Sequence, residues 1–236
     1  MKPTKRITFT TLTAIGLTCG GTGMALAQQL SVPERVTALK ALLEISQATL
    51  RQYEWIETTV VSLKGEEKSR KQERCYYGVD GVLQKVEANR SPEPEKKGGL
   101  RGKIAERKKE ELTDYMRNAV SLVQTYVPPS PAKLQAEKDA GNVSIDILEP
   151  GKRARLNFRD YDRPGDNLGV EVDLLNNRPL GMTVSTYLDD PKDAVALVVR
   201  MNQLDDGTTY AADIRLEAKA KNVTVTVQNS GYRKAK

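Results

Sequence analysis

The stretch Val170-Glu-Val-Asp-Leu-Leu-Asn-Asn-Arg-Pro-Leu-Gly-Met-Thr-Val184 reads as a β-hairpin. Val170, Val172 and Leu174 alternate with polar neighbours before the turn residues Asn176 and Asn177. Leu180, Met182, Val184 and Thr186 alternate after it. A side-chain period of two gives each strand one buried and one wet face, the signature of an antiparallel sheet. Asn suits the turn because it tolerates a left-handed backbone.

The same alternation extends in both directions. Upstream, Val143, Ile145 and Ile147 alternate. Ala154, Leu156 and Phe158 then face one way, while Arg153, Arg155, Asn157 and Arg159 face the other. Downstream come Val195 to Met201, then Tyr210, Ala212, Ile214 and Leu216, then Val223, Val225 and Val227. Nearer the N-terminus, Ile56 to Leu63 is rich in Thr and Val. Arg74 to Val79 leads into Asp80-Gly81, a strong hairpin signal, and Val82, Gln84 and Val86 resume the alternation. About ten strands are expected in all.

Two helical patterns and one short one interrupt the strands. Ser31-Val-Pro-Glu34 is a helix start with capping-box spacing. Val36, Leu39, Leu43, Leu50 and Tyr53, widened by Leu42 and Ile45, form its apolar stripe to about Tyr53. The second runs from Ile104 to Val127. It is charged all round at first, then carries Leu112, Tyr115, Met116, Ala119, Val123 and Tyr126 at helical spacing before Pro128-Pro129. A short helix over 131–140 follows. Between the strands and the second helix, Ser91 to Lys103 combines prolines, glycines and lysines and reads as a flexible loop at about 91–103. The expected fold class is α+β: a curved antiparallel sheet, an incomplete β-barrel, covered by an N-terminal helix and an inserted helix.

The first 27 residues read as a cleavable signal peptide. Lys2, Lys5 and Arg6 make its positive region, a short Thr-rich apolar run follows, and Ala25-Leu26-Ala27 places the cut after Ala27. The apolar run is too short to cross a bilayer, which takes ~20 residues. The expected location is therefore the periplasm or outside the cell, with residues 28–236 forming a single domain. Without the leader, 34 basic residues stand against 31 acidic ones, a net charge of +3. That balance and the scarcity of aromatics argue against nucleic acid as a partner. Cys19 leaves with the leader, so Cys75 has no internal partner and reads as a half-buried, small apolar residue.

The chain has no histidine, which removes Ser-His-Asp and Cys-His sites and most zinc sites. No phosphate-binding glycine loop is present, and no cofactor is expected. The carboxylate pairs Asp160 and Asp162, Asp189 and Asp190, and Asp205 and Asp206 fall at expected turns, where Asp is common for backbone reasons. Asp160, Asp162 and Asp166 have calcium-like spacing, but Arg163 and Pro164 interrupt it and no later Glu completes the pattern.

The element order, and above all Val170 to Val184 with its Arg178-Pro179-Leu180, resembles the LolA-like superfamily of periplasmic lipoprotein carriers, which includes LolB and RseB-type sensors. The helix followed by strands around Tyr53 to Leu63 fits the same family, whereas the insertion at 91–103 departs from its simpler members. The resemblance implies a non-enzymatic envelope protein that binds a lipid or acylated ligand, lipoprotein among the candidates, in an apolar cavity between sheet and helices. Leu112, Met116, Val120, Val123, Val172, Met182 and Val184 are the expected lining. Arg153, Arg155 and Arg159 are the expected contact for anionic lipid headgroups or an acidic partner, which allows peripheral membrane contact. The alternative is an envelope protein-interaction or stress-sensor module whose hollow is filled by side chains. A carboxylate-dependent hydrolase is the third and weakest reading.

Overall fold

The structure, a computed structural model, describes residues 30–89 and 100–235. The expected leader, and residues 91–99 of the expected loop, lie outside them. The described elements are three α-helices and ten strands. Helix α1 (Val32–Leu50) precedes β1 (Tyr53–Leu63), β2 (Glu66–Tyr77) and β3 (Leu83–Asn89). Helices α2 (Leu100–Gln124) and α3 (Pro131–Asp139) follow. Then come β4 (Val143–Glu149), β5 (Arg153–Arg159), β6 (Asn167–Asp173), β7 (Pro179–Tyr187), β8 (Ala194–Gln203), β9 (Thr209–Ala218) and β10 (Val223–Lys234).

All strands join one antiparallel sheet in the order β3-β2-β1-β10-β9-β8-β7-β6-β5-β4. Every neighbouring pair is a consecutive hairpin except β1 and β10, which zip the N-terminal strands onto the end of the meander along Leu63↔Val223 to Tyr53↔Lys234. The sheet is not closed: β3 and β4 are its two ends, and the chain carrying α2 and α3 runs from one to the other.

The strand faces follow from alternation. On β5, Ala154, Leu156 and Phe158 are fully buried and the arginines point away. Val170 and Val172, Met182 and Val184, Val195, Leu197 and Val199, and Leu216 with Ala218 continue that inner face from β6 to β9. Helix α1 supplies Val36, Leu39 and Leu43, α2 supplies Ala119, Leu122 and Val123, and α3 supplies Leu134. At the start of α1, the Ser31 amide and hydroxyl both donate to the Glu34 carboxylate at 2.7 Å. Near its far end, Ser46 Oγ accepts from the Thr209 amide, so the helix is tied to the β8–β9 turn.

Several expectations shift. Helix α1 stops at Leu50, and Tyr53 opens β1 instead of closing the helix. Ile45 is 63% exposed, because the stripe that meets the core is narrower and uses Ser46 in its place. Helix α2 begins at Leu100, so residues 100–103 belong to the helix and not to the loop, and it ends at Gln124, short of Val127. The alternation of Tyr210 with Ile214 is broken by a register shift opposite Met201. Cys75 is fully buried, more than the half-burial expected of it.

Candidate ligand site on the inner face of the sheet

Helix α2 lies across the inner face and is pinned by two tyrosines. Tyr126, just past its end, is fully buried and donates to Asp166 Oδ2 at 2.5 Å, with Thr186 Oγ1 3.0 Å away. The same Asp166 oxygen accepts the amides of Asp162 and Arg163, while its Oδ1 has no partner among the described residues. About three turns back, Tyr115 donates to Asp193 in the β7–β8 turn. Burial raises the pKa of both phenols, the carboxylate bonds adding to it, so both stay protonated as donors through the physiological range.

Cover along the inner face is uneven. From β5 to β8 it is closed. On β9 and β10 cover is mixed: Leu216, Ala218, Val223 and Val225 are buried, whereas Ile214 and Val227, with Val61 and Leu63 on β1, pack against the core but are only half-buried. Leu112, Tyr115 and Met116 of α2 are half-buried as well, although Ala119, Leu122 and Val123 on the same helix are buried. Half-buried apolar side chains of β9, β10, β1 and the middle of α2 thus form a half-open strip at the margin of the closed core.

The expected cavity residues divide along that boundary. Val123, Val172, Met182 and Val184 sit in the closed core, Leu112 and Met116 edge the half-open strip, and Val120 is 37% exposed on the helix surface. In four of the surface cavities, of about 430 to 620 Å³, no residue of α1, α2 or α3 forms part of the lining. One, of about 510 Å³, is on the opposite face of the sheet. Its floor includes Gly169 and Gly181, and Arg153, Arg155 and Arg200 border it. Arg153 there is paired with Glu171 at 3.0 Å and Glu149 at 3.6 Å, Arg155 edges the groove, and Arg159 is exposed at the end of β5.

The paired aspartates do turn work. Asp160 accepts the Gly165 amide, Asp162 pairs with Lys133, Asp190 accepts the Lys192 amide, and Asp206 accepts the Thr208 amide and the Tyr53 hydroxyl. Among the described residues no group of acidic or thiol side chains could hold a metal ion. Burial pushes the Cys75 thiol up to about 11, which keeps it un-ionised at neutral pH and chemically quiet.

Sequence reading missed the far end of the inner face. On β1, Val61, Thr59, Glu57, Trp55 and Tyr53 share one side; on β2, Lys71, Glu73, Cys75 and Tyr77; on β3, Leu83, Lys85 and Glu87. Here the side that faces the helices elsewhere carries ion pairs: Glu57 to Lys85 at 2.6 Å, and Lys71 to Glu73 at 2.8 Å and Glu87 at 3.3 Å. Beside them Trp55 stacks on Tyr232 at 5.4 Å and meets Tyr77 at 6.0 Å, its indole N–H donating to Asn229. The signal was there. Glu57 falls in phase with Val61 and Leu63, so an acidic residue occupies an expected core position.

No family model matches this chain, and no curated protein matches it. Several solved structures align with it, among them two over most of its length. One is a DUF1329 family protein from Desulfovibrio piger, at 10% identity over 85% of this chain and 93% of that one, with a TM-score of 0.39. The other is a LolA superfamily protein from Nitrosomonas europaea, at 9% identity over 84% of this chain and 93% of that one, also with a TM-score of 0.39. The likeness is distant, and it carries neither ligand nor site across.

Proposed function

We propose that this is an exported, non-enzymatic envelope protein that holds a lipid or acylated ligand, lipoprotein among the candidates, on the half-open strip at the margin of the closed core. The supporting observation is the change in cover along the apolar face, closed over β5 to β8 and at Leu216, Ala218, Val223 and Val225, and incomplete at Ile214, Val227, Val61, Leu63, Leu112 and Met116. An acyl chain laid there would bury apolar surface on both sides at ~25 cal/mol per Å², with no directional chemistry required. The arginines of β5 on the opposite face offer a contact for anionic headgroups or an acidic partner, consistent with a protein that visits a membrane surface. The leader reading places the mature chain, from Gln28, in the periplasm or outside the cell.

A second reading, an interaction or sensor module with a filled interior, is favoured by the closed packing of Val123, Val172, Met182 and Val184. One experiment separates the two. The chain is expressed with its own leader, purified without detergent, and examined by native mass spectrometry with organic extraction. Near-stoichiometric lipid or acyl mass supports the first reading. A clean apo mass that also takes up neither fluorescent fatty acid nor phospholipid overturns it, and the second reading then leads.

A further inference from the structure

The ion pairs on β1 to β3 break a pairing rule. Glu57 and Glu73 are directly opposite each other across the β1–β2 ladder, on the same face, where like charges destabilise a sheet. Neither is out in solvent: their side chains are 13% and 11% exposed. Their cations are more open, with Lys85 and Lys71 side chains 38% and 47% exposed. Three carboxylates, counting Glu87, against two ammonium groups leave the network one negative charge in excess. A purely structural network would place opposite charges across the ladder; this one sets two shielded acids opposite each other, paired with lysines whose side chains are half-exposed.

Its position adds to this. Along β1 the inner face runs Leu63, Val61, Thr59, Glu57, so the apolar strip passes through one hydroxyl into the charged network within about 13 Å from Val61 to Glu57, at ~3.3 Å per residue. Apolar surface leading into a compact mixed-charge cluster matches an amphiphile with its chain at one end and its head at the other.

Resting on the ligand-strip reading above, we propose that the inner face of β1 to β3 is the headgroup end of that site and selects a zwitterionic phospholipid, one whose head carries an ammonium beside a phosphate. The ammonium is received by Glu57 and Glu73, where it offsets the one negative charge the network carries in excess. The phosphate is received by Lys85 and Lys71, whose exposed ends can swing onto it. An anionic head without an amine would supply nothing for the two acids, and a free fatty acid would add a fourth carboxylate to the network.

The test is competition. The delipidated protein is offered equal amounts of dioleoyl phosphatidylethanolamine and dioleoyl phosphatidylglycerol, which share their chains, and bound lipid is counted by native mass spectrometry. Wild type is expected to favour the ethanolamine lipid by about tenfold, the scale of one charge-assisted hydrogen bond. Glu57→Gln with Glu73→Gln should keep lipid uptake and lose the preference. If that pair of changes prevents folding, Glu57→Lys with Lys85→Glu keeps the ion pair, inverts its order and should also lose the preference at an unchanged melting temperature. Equal uptake of both lipids by wild type, or a preference that survives the substitutions, overturns the headgroup assignment and leaves the strip. Uptake of neither lipid overturns both.

Discussion

From Arg153 to Gln203 the sheet shows the helices a mainly apolar face, with Thr186 a buried polar residue within it and Leu156, Phe158, Leu168, Val170, Val184 and Leu197 all but inaccessible. From Tyr53 to Asn89 the same sheet, built by the same ladder bonds, shows Glu57, Lys71, Glu73, Lys85 and Glu87 on that side. The backbone makes no distinction between these halves. Their side chains differ because cover differs: where α1, α2 and α3 exclude water, a charge would cost several kcal/mol, and where cover is partial, paired charges and aromatic stacks fill the face at little cost. Composition on one face of a strand therefore reports how closely something lies over it.

The widest gap between the halves should appear in truncations. Phe158→Ala should cost about 3–5 kcal/mol, whereas Val61→Ala in the half-open strip should cost about 1 kcal/mol or less. Urea unfolding of both variants tests this, and equal losses would mean that the strip is as tightly packed as the core. Next in size, Tyr126→Phe should cost about 1–3 kcal/mol, because Asp166 already has one bare oxygen and would lose its strongest donor. Tyr115→Phe, at a half-buried site, should cost less. The tyrosines also set an alkaline limit. With folded pKa values raised above the unfolded ~10, their contribution is complete below about pH 10 and is lost as pH rises beyond it. Melting temperatures from pH 8 to 11 should fall less steeply in Tyr126→Phe than in wild type.

A smaller effect separates the wing from the core. Glu57→Gln relieves a like-charge contact but removes a partner of Lys85, so its change in stability should stay within about 1 kcal/mol. A loss of several would show that the network holds the wing together. The smallest effect is expected at Asp206, on an exposed turn. Hydrogen bonds, from Thr208 first and Tyr53 next, lower its pKa to about 2. Its contribution is present above about pH 4 and fades as pH falls toward the folded value. Wild type and Asp206→Asn should therefore differ in melting temperature at pH 6 and converge as the pH approaches 2.

Much of the sheet was legible because alternation is a local signal. Ala154, Leu156 and Phe158 against Arg153, Arg155 and Arg159 could be assigned to faces without knowing what lay above them. Asp80-Gly81 and Asn176-Asn177 marked turns for the same reason, the backbone of both Gly81 and Asn177 adopting a positive φ. The site was less legible. Nothing in the sequence separates Leu112 and Met116 from Val172 and Met182; all four are apolar residues in phase. Only the position of α2 makes the first two half-open and the last two closed. Glu57 was passed over because it interrupts the apolar phase it belongs to.

The sequence by itself determined the strand faces, the turns, the two main helices and the absence of histidine chemistry, since each depends on neighbours within a few residues or on composition alone. The tertiary structure decided the rest. It zipped β1 onto β10, left β3 and β4 as unjoined ends, and laid α2 so that cover thins from Val123 to Leu112. Those outcomes depend on contacts between residues more than a hundred positions apart, such as Leu63 with Val223, and local periodicity carries no record of which distant strand or helix will meet a given face.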